Sequence, residues 1–460
     1  MAQTLTVAVA PEHYSIDERG VDMVTGAYVW SASEVVIGEP GSGGLVHGRG
    51  AWGETNQGQL AVGNATYPGT TVIFEGRSET FDQSGSTYTP RSNNGSTLSV
   101  AGTIYTYTTS TGLVVKYDTA LCASATGGTC SHKGMITEVI APNGERRQYH
   151  YTSATYVRSV NPTTSEITWG TVRRVQSITN NYGYELHYTY RSNNINASGT
   201  LTNRIGNWLG VATVTGVNNA VDYCAPAALS CSYSRTWPSV AYTQAVGDYV
   251  TATTDESGRT TQYIHGGTPR NLTAIRHPGS TSDDVALSYS GPSSGSLYGS
   301  VASVTDATGT WTYSFTDSGI LRTAVSNGPQ GQKLTVITDV RVGRPFSIEN
   351  AYGETILQTY DSQQRLQRQA QVSGAAVEYS YDGRGNVTQT KTIPYGSGSP
   401  IVETATYNAT CANPVICNRP LTTTDARGNV TDYVWDPVHG GPSTITLPAA
   451  GAGGVRPELR

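Results

Sequence analysis

Three spacings in this 460-residue sequence carry letters that perform chemistry elsewhere. Gly48-Arg49-Gly50-Ala51-Trp52-Gly53 matches the G-x-G-x-x-G pattern of dinucleotide binding. That chemistry also needs a strand before the glycines and a helix opening behind them. Glu54-Thr55-Asn56-Gln57-Gly58 is a poor helix, so no cofactor is expected here. Gly291-Pro292-Ser293-Ser294-Gly295 matches G-x-S-x-G, but a nucleophile elbow needs a strand-to-helix turn, and this is a Ser/Gly/Pro linker. Asp283-Asp284 offers half of a glycan-hydrolase carboxylate pair. Neighbours on a strand face opposite ways, so the two would not line one cleft. The eight histidines are scattered, and His150 and His187 fall within alternating stretches, where they read as packing partners. No catalytic, cofactor or metal residue is assigned, and the chain reads as non-enzymatic. A β-repeat glycan hydrolase or lyase stays open only as a second alternative.

The six cysteines fall as three local pairs, Cys122/Cys130, Cys224/Cys231 and Cys411/Cys417. Metal ligation favours C-x2-C spacing with histidine company, which none of the pairs has in sequence. Fifteen disulfide connectivities are formally open, and proximity favours each cysteine with its neighbour. Disulfides rather than reduced thiols would point to an oxidising, extracytoplasmic setting. Trp237, Trp311 and Trp435 are the ones to test for stacking on sugar rings, with core packing the favoured reading of each.

Composition says which elements must hold these residues. Charged residues are 14%, against about 25% in an ordinary soluble domain. There are 52 Gly and 29 Tyr but only 4 Phe. Few charges with abundant Gly, Thr, Ser and Tyr suit short strands and tight turns rather than helical bundles. The net charge of −5 and four lysines argue against a nucleic-acid surface. No apolar run approaches the roughly 20 residues of a membrane span. Residues 1–11 lack the Lys or Arg of a secretory signal. The fold class is all-β.

The chain divides into a turn-rich lead-in at 1–55, an irregular β region at 56–130 and a repeating region at 131–460. The repeat is an alternating aromatic strand, a turn with Asp and Gly three residues apart, then a second strand. Tyr379-Ser380-Tyr381-Asp382-Gly383-Arg384-Gly385-Asn386-Val387 is the clearest copy. The Asp/Gly pairs Asp255/Gly258, Asp306/Gly309 and Asp425/Gly428 mark others. At Asp361 the copy is degenerate, with Gln364 where Gly is expected. In each turn Asp accepts hydrogen bonds from following amides while Gly supplies positive φ. The stretch 361–371 is the one with helix-friendly composition, yet its place in the repeat predicts a turn and strand.

A Tyr-Asp-x-x-Gly core recurring at about 21 residues resembles the rearrangement-hot-spot (Rhs, or YD-repeat) family. Arg173-Arg174-Val175 through Asn181-Tyr182-Gly183 is similar to another such unit. The resemblance covers most of the chain from about 130, and residues 18–50 more loosely. It implies stacked β-hairpin repeats forming a spiral, shell-like sheet that in many bacterial members encloses a C-terminal toxin. The Asp-Pro-rich core that ends such shells is not matched, since Asp436-Pro437 lacks the flanking pattern. The expectation is the N-terminal or truncated part of a secreted or surface protein. Its partners would be a C-terminal effector or export machinery. A surface glycan or receptor is the alternative.

Overall fold

The computed structural model describes residues 16–50, 53–63, 68–92, 94–121, 124–126, 133–160, 163–165, 167–244, 249–267, 271–290, 297–451 and 454–459. Cys122, Cys130 and the serine-bearing stretch at 291–295 lie outside the described residues. The chain is nearly all β. From Lys133–Ile140 to Glu458–Leu459, each strand pairs antiparallel with the strand next in sequence. This is a meander, in which every connection is local. Glu458–Leu459 pairs with Pro442–Thr446 and with no further strand among the described residues, so the large sheet is not closed into a barrel.

Lys133–Ile140 is a branch point. One edge pairs with Val114–Asp118. The other is divided between Gly58–Ala61 and the long strand Arg146–Val160. Two arms therefore meet there: Gly58–Ala61, Thr70–Phe74, Arg77–Ser84 and Thr87–Pro90 form one. Thr97–Ala101, Ile104–Thr108 and Val114–Asp118 form the other. Their inward residues, including Leu60, Phe81, Tyr117 and Ile136, make the largest buried cluster.

The lead-in does not stay with its sequence neighbours. Val21 and Met23 are fully buried against Val301, Val304, Trp311 and Val336. Each such side chain contributes about 1.5–3 kcal/mol by leaving water. Polar contacts fix the register: Tyr313 donates to Asp17 at 2.7 Å, Arg19 donates to Asp306 at 2.9 Å, and Arg322 donates to the Val24 carbonyl at 2.8 Å.

The ladder also curls back on the first arms through its turn tips. Asn418 Nδ2 donates to the Gly95 carbonyl at 2.5 Å, and Arg419 donates to that of Thr111. His439 Nδ1 lies 3.1 Å from the Pro142 carbonyl. These partners are 297 to 323 residues apart, so one turn of the sheet is clasped by loops rather than by strand pairing.

One helix corrects the sequence reading. Leu201–Leu209 is α-helical, with Thr200 capping through Asn203 N–H. Its Thr, Asn and Gly content is unfavourable. Tertiary packing overrides this: Trp208 is buried with Tyr156, Val172 and Ile195. Residues 361–371 form a turn and the strand Leu366–Gln371. No helix among the described residues is long and apolar enough to cross a membrane.

Candidate functional site

The repeated hairpin is the unit from which the rest is built. In four copies one Asp side-chain oxygen accepts from the amides two and four residues ahead. Asp255 takes Ser257 and Arg259, and Asp361 takes Gln363 and Arg365. Asp382 takes Arg384 and Asn386, and Asp425 takes Arg427 and Asn429. The other oxygen accepts from the side chain of the fourth residue, an Arg or Asn. Accepting the Arg259 amide holds the Asp255 carboxyl below the usual range, and the Asn429 side chain does so first for Asp425. The residue three beyond each Asp has positive φ: Gly258 +80°, Gly385 +89°, Gly428 +82° and Gln364 +63°. Asn180 and Asn350 build the same cap without the charge.

Asp306 and Gly309 differ from this pattern. They pair directly across a two-residue turn, and Asp306 accepts from Thr308 N–H and Arg19.

The aromatic residue before the Asp361 and Asp382 turns has a role that alternation alone does not reveal, and Tyr151, Tyr190 and Trp435 share it. Tyr360 donates to the Pro345 carbonyl, Tyr381 to Leu366 and Tyr151 to Ile136, all at 2.6 Å. Tyr190 donates to Val175, and Trp435 Nε1 donates to Pro420 at 2.8 Å. Every one of these spans fifteen residues. In each case the ladder register also slips at the aromatic residue. A bulge bends the strand and re-aims its side chain, here so that the polar tip reaches the neighbouring strand. Phenylalanine cannot make this bond, which gives the excess of Tyr over Phe a physical cause.

Trp311 and Trp435 are buried, the core packing favoured over glycan stacking, and neither face is open to an approaching sugar. Trp311 belongs to the core beneath the lead-in, and Trp435 stacks on Tyr433. Trp237 is half-buried, donates to Asp222 at 2.9 Å and has Arg235 over its ring. Among the described tryptophans, Trp169, at 50% exposure, is the open one. Asp283 and Asp284 lie in the turn before Val285–Tyr289 rather than on a strand. Asp283 pairs with Arg276, while Asp284 accepts from His277 N–H and Ser280. Gly48 and Gly50 lie in the strand Leu45–Gly50, and a Cβ at Gly48 would meet the Ala32 carbonyl at 2.3 Å. Close strand approach, not phosphate binding, accounts for them.

A cavity of about 420 Å³ opens between the arms and the long hairpin. Glu54, Tyr149, Tyr151, Arg174, Tyr188 and Tyr190 are among its walls. Burial pushes the Glu54 carboxyl up to about 7 despite a hydrogen bond from Gln57. Arg174 does not reach across as its counter-ion. It donates to the Ser192 and Trp208 carbonyls and lies over the Tyr190 and Trp208 rings. Behind this wall Glu34 takes a bidentate contact from Arg49 and a hydrogen bond from Tyr242, and burial lowers His47 to about 3. Glu54 is the one carboxylate among the described lining residues, whereas glycan hydrolysis by acid and base needs two.

Cys224–Cys231 and Cys411–Cys417 are disulfides, both within inter-strand loops. The first has a histidine beside it, unforeseen from spacing: His187 Nδ1 lies 3.2 Å from Cys224 Sγ and 3.1 Å from Glu185 Oε1.

Residues 360–397 match the family model described as RHS Repeat. That span holds both the Asp361 and the Asp382 turn, so the chain contains an RHS repeat. None of the curated proteins compared with the chain matches it. Among solved structures, the crystal structure of TcdB2-TccC3 is 12% identical, with 85% of this chain and 23% of that one aligned and a TM-score of 0.38. A Tc holotoxin pore of Photorhabdus luminescens is 12% identical over 85% and 22%, with a TM-score of 0.36. The chain thus spans less than a quarter of those chains.

Proposed function

We propose that this RHS-repeat chain is a non-enzymatic wall segment of a β-shell, in a secreted or surface protein, that encloses or presents an effector. The observation that carries the reading is the meander from Lys133–Ile140 to Glu458–Leu459, in which each strand pairs with the next and the hairpins at Asp361 and Asp382 share one cap-and-tether design. Such a sheet buries little on its own per hairpin and gains stability from its neighbours. Extension, not a pocket, is what the repeat is built to deliver. The curled ladder, clasped by Asn418 and Arg419 on the first arms, supplies the curvature a wall needs.

The test compares one protease-sensitive peptide appended after Arg460 with the same peptide appended before Met1. Slower cleavage of the first, abolished when the chain is unfolded, is the expected result. Equal rates overturn enclosure. Reducing-end release from envelope polysaccharides above a buffer control would overturn the non-enzymatic part.

A further inference from the structure

The loop between Val211–Asn218 and Ser239–Gln244 is closed on itself by Cys224–Cys231, and Cys224 rests against His187 of the strand Tyr184–Tyr190. Beneath the disulfide lie Glu185 and His187, two apart on one face of that strand, both essentially without solvent exposure. Glu185 Oε1 is 3.1 Å from His187 Nδ1, and its second oxygen accepts from Asn219 Nδ2 at 3.0 Å. No Lys or Arg forms an ion pair with Glu185 among the described residues. An imidazole nitrogen and two sulfurs therefore converge, with donor atoms of His187, Cys224 and Cys231 all within 4.8 Å of one another and the Glu185 carboxylate beside the imidazole.

This is a donor set for a zinc-class cation. Metal–ligand bonds of about 2.0–2.3 Å in a tetrahedron put neighbouring donors about 3.3–3.8 Å apart. The nitrogen–sulfur separation of 3.2 Å already approaches that edge. The cysteine Cα atoms are 5.8 Å apart, so the two sulfurs, bonded here, need only part by side-chain rotation. Cys231 is half-buried and gives a route in from solvent.

We propose that, once Cys224–Cys231 is reduced, Cys224, Cys231 and His187 bind one zinc-class divalent cation, with the Glu185 carboxylate beside the imidazole. The metal then holds the loop closed, and ties it to the strand through His187, in a reducing compartment where the disulfide would close it in an oxidising one. With a phosphine as reductant and water as co-reactant, the phosphine becomes its oxide, the S–S bond breaks and two thiols form. The cation next displaces both thiol protons and takes the two thiolates, while His187 binds as neutral imidazole.

The experiment uses the whole chain, reduced with a phosphine, with or without Zn²⁺, then alkylated and read by peptide mass spectrometry. Zinc is expected to slow alkylation of Cys224 and Cys231 together by about tenfold or more relative to Cys411 and Cys417. Co²⁺ should give a tetrahedral thiolate spectrum on the reduced chain and none on the oxidised chain. His187→Gln should abolish both effects. Far-UV circular dichroism separates this from misfolding, and if reduction itself loosens the chain, zinc should restore the signal. Unselective protection, or selective protection that survives in folded H187Q, overturns the proposal.

Discussion

Gln364→Gly is the substitution that isolates the repeat turn, because it changes backbone freedom and almost nothing else. Gln364 sits at φ +63° with its side chain exposed and its amide donating to the Asp361 carbonyl at 3.0 Å. An L-residue in this region costs roughly 1–2 kcal/mol. Glycine removes that cost but loses about 0.5–1 kcal/mol through the freer unfolded chain. The net expectation is a gain of about 0.5–1 kcal/mol. Gly428→Ala is its mirror. Nothing lies within 4 Å of a Cβ built there, so steric clash contributes nothing and the turn conformation alone decides. A loss of about 0.5–1 kcal/mol is expected, rising to about 1–2 kcal/mol for β-branched Gly385→Val. Urea unfolding followed by tyrosine and tryptophan fluorescence reads the shifts in midpoint at constant slope. If Gln364→Gly lowers the midpoint, or Gly428→Ala raises it, the left-handed turn is the wrong explanation for the Asp/Gly spacing.

Further outcomes follow from the same contacts. Tyr381→Phe removes the bond to the Leu366 carbonyl and should cost about 1–3 kcal/mol if that acceptor stays dry, measured by urea unfolding with an unchanged far-UV spectrum. Glu54, with its folded pKa raised to about 7, favours the fold while protonated, and this contribution fades as pH climbs from about 4.5 through 7. Glu54→Gln should therefore stabilise the chain at pH 8 and change little at pH 4, and equal effects at both would refute it. Asp255 and Asp425 have depressed pKa values, so their caps support the fold above about pH 4 and fail as pH falls through the lowered values. Asp425→Asn should flatten the acid limb of a melting-temperature profile. Asn418→Ala removes the donor to Gly95, and faster hydrogen exchange around residues 94–112 without global unfolding is the expected signature.

The hairpin turns were legible because their chemistry is local: an Asp, two amides and a left-handed residue all fall within five positions. The degenerate copy at Gln364 adopts the same turn, so spacing outweighed residue type there. The fifteen-residue tethers were not legible, since they depend on bulges at Tyr360, Tyr381 and Trp435 that alternation does not encode. Core packing is the favoured reading of Trp311, but its partners Val21 and Met23, almost three hundred residues away, were not legible. The same limit hid His187 from Cys224, 37 positions apart yet in contact. The helix Leu201–Leu209 was missed because Trp208, through its burial, outweighs poor propensity.

The clasp between turn tips sets an order of events on the ribosome. Thr111 emerges 308 residues before Arg419, its partner. At about 5–20 residues per second that is a wait of roughly 15–60 s, far longer than the microseconds of hairpin formation. Hairpins of the meander close as they appear, each on the one before. The tips at Gly95, Thr111 and Pro142 stay open until the last quarter of the chain is made. During that interval the first arms remain open to contacts that the finished clasp shuts out.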